Sequence, residues 1–96
     1  MTKPNLPKAY DWSTKLGDLN GVSDAPIWFS LLPSGFAVQV WENLDPGPRY
    51  TANIFKPTSN FDFGNLFADI DESFDPVSMT FDSDNTRLTD LLTIYA

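Results

Sequence analysis

Carboxylates are the side chains through which this chain could do chemistry: eleven Asp and two Glu, with neither His nor Cys to share the work. Their absence removes the commonest general base, the commonest transition-metal ligand and the thiolate nucleophile. There is no G-x-x-x-x-G-K-[ST] loop and no G-x-G-x-x-G turn, so no phosphate cradle is readable. Glu42 beside Trp41, with an Asp from the C-terminal half, could form the carboxylate pair that cleaves a glycosidic bond, provided an apolar setting held one acid protonated. So small a domain seldom supplies the supporting shell of such a cleft. Glu42 reads more simply as the polar end of a strand before a turn. The chain is expected not to be an enzyme and to need no cofactor.

Asp69, Asp71, Ser73 and Asp75 have the alternate spacing of oxygen ligands around calcium, and Asp82, Asp84 and Thr86 repeat it. The glycine and glutamate of an EF-hand are missing from positions six and twelve, which are Phe74 and Thr80 in the first stretch and Arg87 and Thr93 in the second. A calcium module is therefore a second alternative, without an assigned metal ligand.

The distribution of charge says more. Residues 1 to 56 carry five acids and five bases, whereas from Pro57 onward eight acids face Arg87 alone, so the entire net charge of -7 belongs to the last forty residues. Such a field repels nucleic acid and anionic lipid and attracts basic surfaces that otherwise hold phosphates. Asp is also a good turn and N-cap residue, so punctuation is the plain reading of many of these acids. On a helix, Asp62 and Asp69 would lie about 10.5 Å apart at 1.5 Å per residue, and charges repeat along one DNA strand at about 3.4 Å. Asp62, Asp69, Asp71, Glu72, Asp75, Asp82 and Asp84 thus form the candidate partner-binding set. Direct nucleic-acid binding is not expected, because the six basic residues are dispersed and form no stripe beside the aromatics.

The elements that must position these acids follow from hydrophobic pattern and turn chemistry. Ninety-six residues with 42% hydrophobic content and 15% aromatics suit one folded domain. Residues 1–25 read as an N-terminal arm with a short helix, in which Asp11 caps Trp12, Leu16 and Leu19, and Gly21 ends it. Residues 26–56 read as a β-meander with strands at Pro26 to Leu32, Gly35 to Asn43 and Arg49 to Lys56. Pro33-Ser34-Gly35 and Asp45-Pro46-Gly47-Pro48 make its turns. Val38, Val40, Tyr50, Ala52 and Ile54 mark one core face. Gln39, Trp41, Asn53 and Phe55 mark a second, partly aromatic face, to be covered by a helix of the chain or by a partner. Residues 57–96 are the acidic region. Phe63, Phe67, Ile70 and Phe74 have helical spacing, with Asn60 or Asp62 as cap and Pro76 beyond the end; a strand through Leu66 to Asp71 competes. Val77, Met79 and Phe81 alternate as a fourth strand. Asp84, Asn85 or Thr86 caps a terminal helix bearing Leu88, Leu91, Leu92 and Tyr95, with an edge strand through Thr93 to Tyr95 as the alternative.

The expected fold is α+β, an antiparallel sheet of about four strands with one or two helices packed on it. No membrane span is expected, since the longest apolar stretch, Ala25 to Leu32, falls far short of about 20 residues. Met1 to Lys8 is followed by no apolar h-region, so no signal peptide is readable, and with no Cys cytoplasmic residence is favoured; the sequence leaves the oligomeric state open, with a monomer favoured. In composition the chain is similar to small inhibitors that imitate nucleic acid. The expected function is a non-enzymatic inhibitor of a basic, nucleic-acid-handling protein, and a phage-encoded anti-defence protein acting in the host cytoplasm fits its size. The main alternative is an assembly protein that self-associates through the face near Trp41 and Phe55 or through a sheet edge at Pro26 to Leu32.

Overall fold

The computed structural model of the chain describes residues 4–19, 22–43, 48–58, 71, 73–82 and 84–96. Among them, five strands and one helix follow in order: β1 Ser13–Leu19, β2 Val22–Leu31, β3 Ala37–Glu42, β4 Tyr50–Phe55, β5 Val77–Phe81 and α1 Thr86–Tyr95. The strands form one antiparallel sheet in sequence order, β1-β2-β3-β4-β5. The fold is α+β.

The expected N-terminal helix is instead the edge strand β1. Trp12 and Leu16, four residues apart, share one face of a strand as readily as one face of a helix, so spacing alone does not separate the two. Pairing across the sheet decides, with Ser13 opposite Phe29, Lys15 opposite Ile27 and Gly17 opposite Ala25. Gly17 serves close packing here, because a Cβ on it would lie 2.9 Å from Cδ1 of Ile27. β2 consequently begins at Val22, four residues before the expected start, and carries Pro26 opposite Leu16.

Register places Trp28, Val40, Ala52 and Met79 in one row across the core face, and Ser30, Val38, Ile54 and Val77 in the next. α1 covers this face with Leu88 and Leu92, both fully buried, and Leu6 joins the same cluster with Tyr10 and Trp12 packed against it. The Trp12 indole N–H donates to the Pro7 carbonyl at 2.8 Å and ties the arm down. On the opposite face Ile27, Phe29, Gln39 and Phe55 are buried as well, whereas Trp41 and Asn53 are half-buried.

The β2–β3 turn has the expected chemistry. The Gly35 N–H closes a turn on the Leu32 carbonyl at 2.9 Å, with Pro33 at its second position and Gly35 at φ 99°. The Ser34 hydroxyl then donates to the Tyr95 carbonyl, which gives a last-turn acceptor of α1 a partner. Phe36, Phe74 and Tyr95 pack ring against ring at 5.0 to 6.2 Å between centroids. Because Tyr95 meets Phe74, just before β5, α1 runs back along β5 toward that strand's start. The expected helix through Phe63 to Phe74 lies outside the described residues except at its end, where Ser73 and Phe74 form a turn and bend rather than a helix. The end of the chain is helical through Tyr95, so the edge-strand alternative is excluded.

Candidate functional site

Four of the seven candidate acids, Asp71, Asp75, Asp82 and Asp84, fall on described residues; Asp62, Asp69 and Glu72 lie outside them. The four stand at opposite ends of β5. Asp75 precedes that strand and Asp82 follows it, seven residues later, a span of roughly 20 Å at about 3.3 Å per residue. One continuous anionic array is therefore not formed by these four.

At the end where β5 starts, Asp71 closes a small turn. Its Oδ1 accepts the Ser73 N–H at 2.9 Å and the Ser73 hydroxyl at 2.6 Å, while its own N–H donates to the Lys56 carbonyl at 2.8 Å. Lys56 Nζ lies 3.9 Å from Asp71 Oδ2. The hydroxyl and then the amide of Ser73, with the Lys56 charge a lesser contribution, hold the Asp71 carboxyl below its ordinary range. Asp75 is exposed nearby.

At the other end the same device recurs. Asp84 Oδ1 accepts the Thr86 N–H at 2.9 Å and the Thr86 hydroxyl at 2.6 Å. These bonds, the hydroxyl first, lower the carboxyl in the same way. Asn85 stands at the cap position of α1 without a side-chain bond, so Asp84 supplies the acceptor that the first turn of the helix requires. Asp82 Oδ1 accepts the Arg49 N–H at 2.8 Å and joins the start of β4 to the end of β5. Asp82 and Asp84 line a pocket of about 240 Å³ with Pro48, Thr80, Phe81 and Arg87. Two of the four acids, Asp71 and Asp84, thus punctuate turns, Asp82 joins two strands, and Asp75, Asp82 and Asp84 are exposed.

Sequence reasoning missed Arg87 as the cation beside Asp82 and Asp84. Its place one residue before Leu88 carries that signal once the helix is fixed. The carboxylate-pair reading finds Glu42 with its Oε2 3.4 Å from Arg49 Nε. For calcium, the hydroxyls of Ser73 and Thr86 are donors to Asp71 and Asp84, and no group of three or more His, Cys, Asp or Glu suited to a metal occurs among the described residues.

Of the surfaces named for assembly, Phe55 is only 1% exposed and Trp41 is half-buried, and β2 is paired on both sides, by β1 and β3, over residues 27–29. No helix among the described residues is long and apolar enough to cross a membrane. No protein-family model, curated protein or solved structure matches the chain.

Proposed function

We propose that this protein is a non-enzymatic, acidic binding protein that occupies a basic, nucleic-acid-handling surface of a partner protein in place of phosphates. The observation that supports this reading is the way the charges are held. Asp71, Asp82 and Asp84 each spend Oδ1 on an N–H or O–H group of the chain; Asp71 turns Oδ2 to the Lys56 ammonium at 3.9 Å, and Asp82 and Asp84 each have a second carboxylate oxygen that can accept. A carboxylate already fixed by such a bond loses little further freedom when a lysine or arginine docks on it. The short stem of Asp makes this possible. Asp62, Asp69, Glu72 and Asp75 complete the proposed contact set, whose described members, Asp71, Asp75, Asp82 and Asp84, give an anchoring region at each end of β5.

The test is a pull-down with the immobilised full chain from a lysate of its native cells, comparing the wild type with a variant carrying Asp71, Asp75, Asp82 and Asp84 as Asn. Captured proteins are identified by mass spectrometry and challenged with duplex DNA and with RNA. Capture of a nucleic-acid-binding protein that is displaced by nucleic acid, weakened by salt and lost in the variant is the expected result. Equal capture by both chains overturns the proposal.

A further inference from the structure

Apart from Arg87, which also lines the pocket of Asp82 and Asp84, the second side of α1 has no role in the binding reading above. Leu88 and Leu92 face the core, but Arg87, Asp90, Leu91 and Ile94 stand at offsets of zero, three, four and seven and form a separate helical stripe. With Val77 and Met79 of β5 they line an open groove of about 300 Å³. Ile94 is 75% exposed, more than either other large exposed hydrophobic residue of the described chain, Leu16 or Leu31. β5 is the last strand in the sheet order, so helix and strand reach this side together.

We propose that this groove is a self-association surface whose occupant is the same groove of a second copy of the chain, related by a two-fold axis. Charge selects that occupant. Arg87 is the only basic residue after Lys56, and it lies in this groove with Asp90, one cation and one anion flanking an apolar stripe. Under a two-fold axis each Arg87 meets the other copy's Asp90 and each Asp90 the other copy's Arg87, while Leu91 and Ile94 of both copies exclude water between them. Elsewhere in the acidic half, approach of a second copy brings like charges together. The groove is where that repulsion is locally cancelled.

Self-association responds to salt in the opposite direction from the proposed partner binding. Two chains of net charge -7 repel, and salt screens that repulsion while leaving the apolar contact intact. The experiment is sedimentation equilibrium of the full chain at low and high salt, from about 10 µM to about 1 mM, the range of modest affinities. A monomer–dimer equilibrium that shifts toward dimer with salt is expected. Ile94→Glu weakens it about tenfold or more, as loss of a central apolar anchor does, and its circular dichroism and melting temperature show that an exposed site has been changed without unfolding. Arg87→Glu and Asp90→Arg each weaken association alone, and an equimolar mixture of the two recovers it, because each then finds its opposite charge across the axis. A wild-type chain that stays monomeric at both salts overturns the proposal. So does a dimer insensitive to Ile94→Glu or a mixture without recovery. If the chain is monomeric and Ile94→Glu abolishes capture of another protein, the groove belongs to that protein and self-association is refuted.

Discussion

Replacing Gly17 by alanine tests the structure at the point where sequence reasoning and geometry part. In a helix, the change stabilises by about 1 kcal/mol, because glycine is that much poorer than alanine in a helix interior. In β1 the new Cβ lies 2.9 Å from Ile27 Cδ1, whereas carbon atoms rest at about 3.5–4.0 Å. The methyl group must retreat by roughly 0.6–1.1 Å to restore that separation. Ile27 is 1% exposed and has little room to do so, and overpacking of this kind costs about 1–3 kcal/mol. Alanine returns about 0.4–1 kcal/mol by restricting the unfolded chain. The net expectation is a loss of about 1 kcal/mol, opposite in sign to the helical case. Ile27→Val removes the opposing Cδ1 and alone costs about 0.5–1.5 kcal/mol; in that background Gly17→Ala becomes neutral or stabilising. Urea unfolding followed by the fluorescence of the three tryptophans measures each corner of this cycle. With a slope of about 1–3 kcal/mol per molar, the single Gly17→Ala change lowers the midpoint by roughly 0.5 M. A gain in stability from Gly17→Ala, independent of residue 27, would falsify the strand placement of residues 13–19.

Ser30 lies in the core face with its hydroxyl buried and without a hydrogen-bond partner among the described residues. Ser30→Ala removes a desolvated polar group and is expected to stabilise the fold by about 0.5–1 kcal/mol; a loss of similar size in the same urea assay would mean that the hydroxyl is bonded. Asp71 and Asp84 have carboxyl groups held below the ordinary value of 3.8 by Ser73 and Thr86. The native state therefore binds fewer protons than the unfolded one, so this stabilisation is present above 3.8 and disappears as pH falls through the lower native values. Asp71→Asn and Asp84→Asn should each flatten the acid limb of the midpoint-versus-pH curve, and an unchanged limb in both variants contradicts the turn bonds.

The legibility of this chain follows the range of the interactions involved. β3, β4 and β5 read directly because alternation and turn residues are local: Val77, Met79 and Phe81 stand between Pro76 and Asp82, and β5 has those limits. α1 was legible for the same reason, from the spacing of Leu88, Leu91, Leu92 and Tyr95. β1 was not, because spacing by four satisfies both periods and the seat of Gly17 against Ile27 exists only after two segments meet. Pro26 misled in another way. It lacks the N–H that a ladder uses, which makes it look like the start of a strand, yet β2 carries it internally. The acids were legible as residues but not as a surface. Which of them share an end of the molecule depends on the length of β5 and on the return of α1 toward Phe74.

The structural and binding roles of these aspartates use the same atoms, and this determines how they can be separated. Alanine at Asp84 would remove both the charge and the acceptor for Thr86, so weaker binding would say nothing about which was lost. Asparagine retains an Oδ1 acceptor for the Thr86 N–H and hydroxyl while discarding the charge. Glutamate keeps the charge but moves it by one methylene, too far along the chain to reproduce a bond between residues two apart. Asn at positions 71 and 84 therefore isolates electrostatics from turn formation, which is why neutralisation by Asn is the substitution that tests partner binding. The midpoint near neutrality then reports how much the turn has suffered, because the acid limb flattens with the loss of the titrating carboxyl alone. A chain that keeps its midpoint near neutrality and loses its partner has been disarmed without being unfolded, and only that combination assigns the function to the charge.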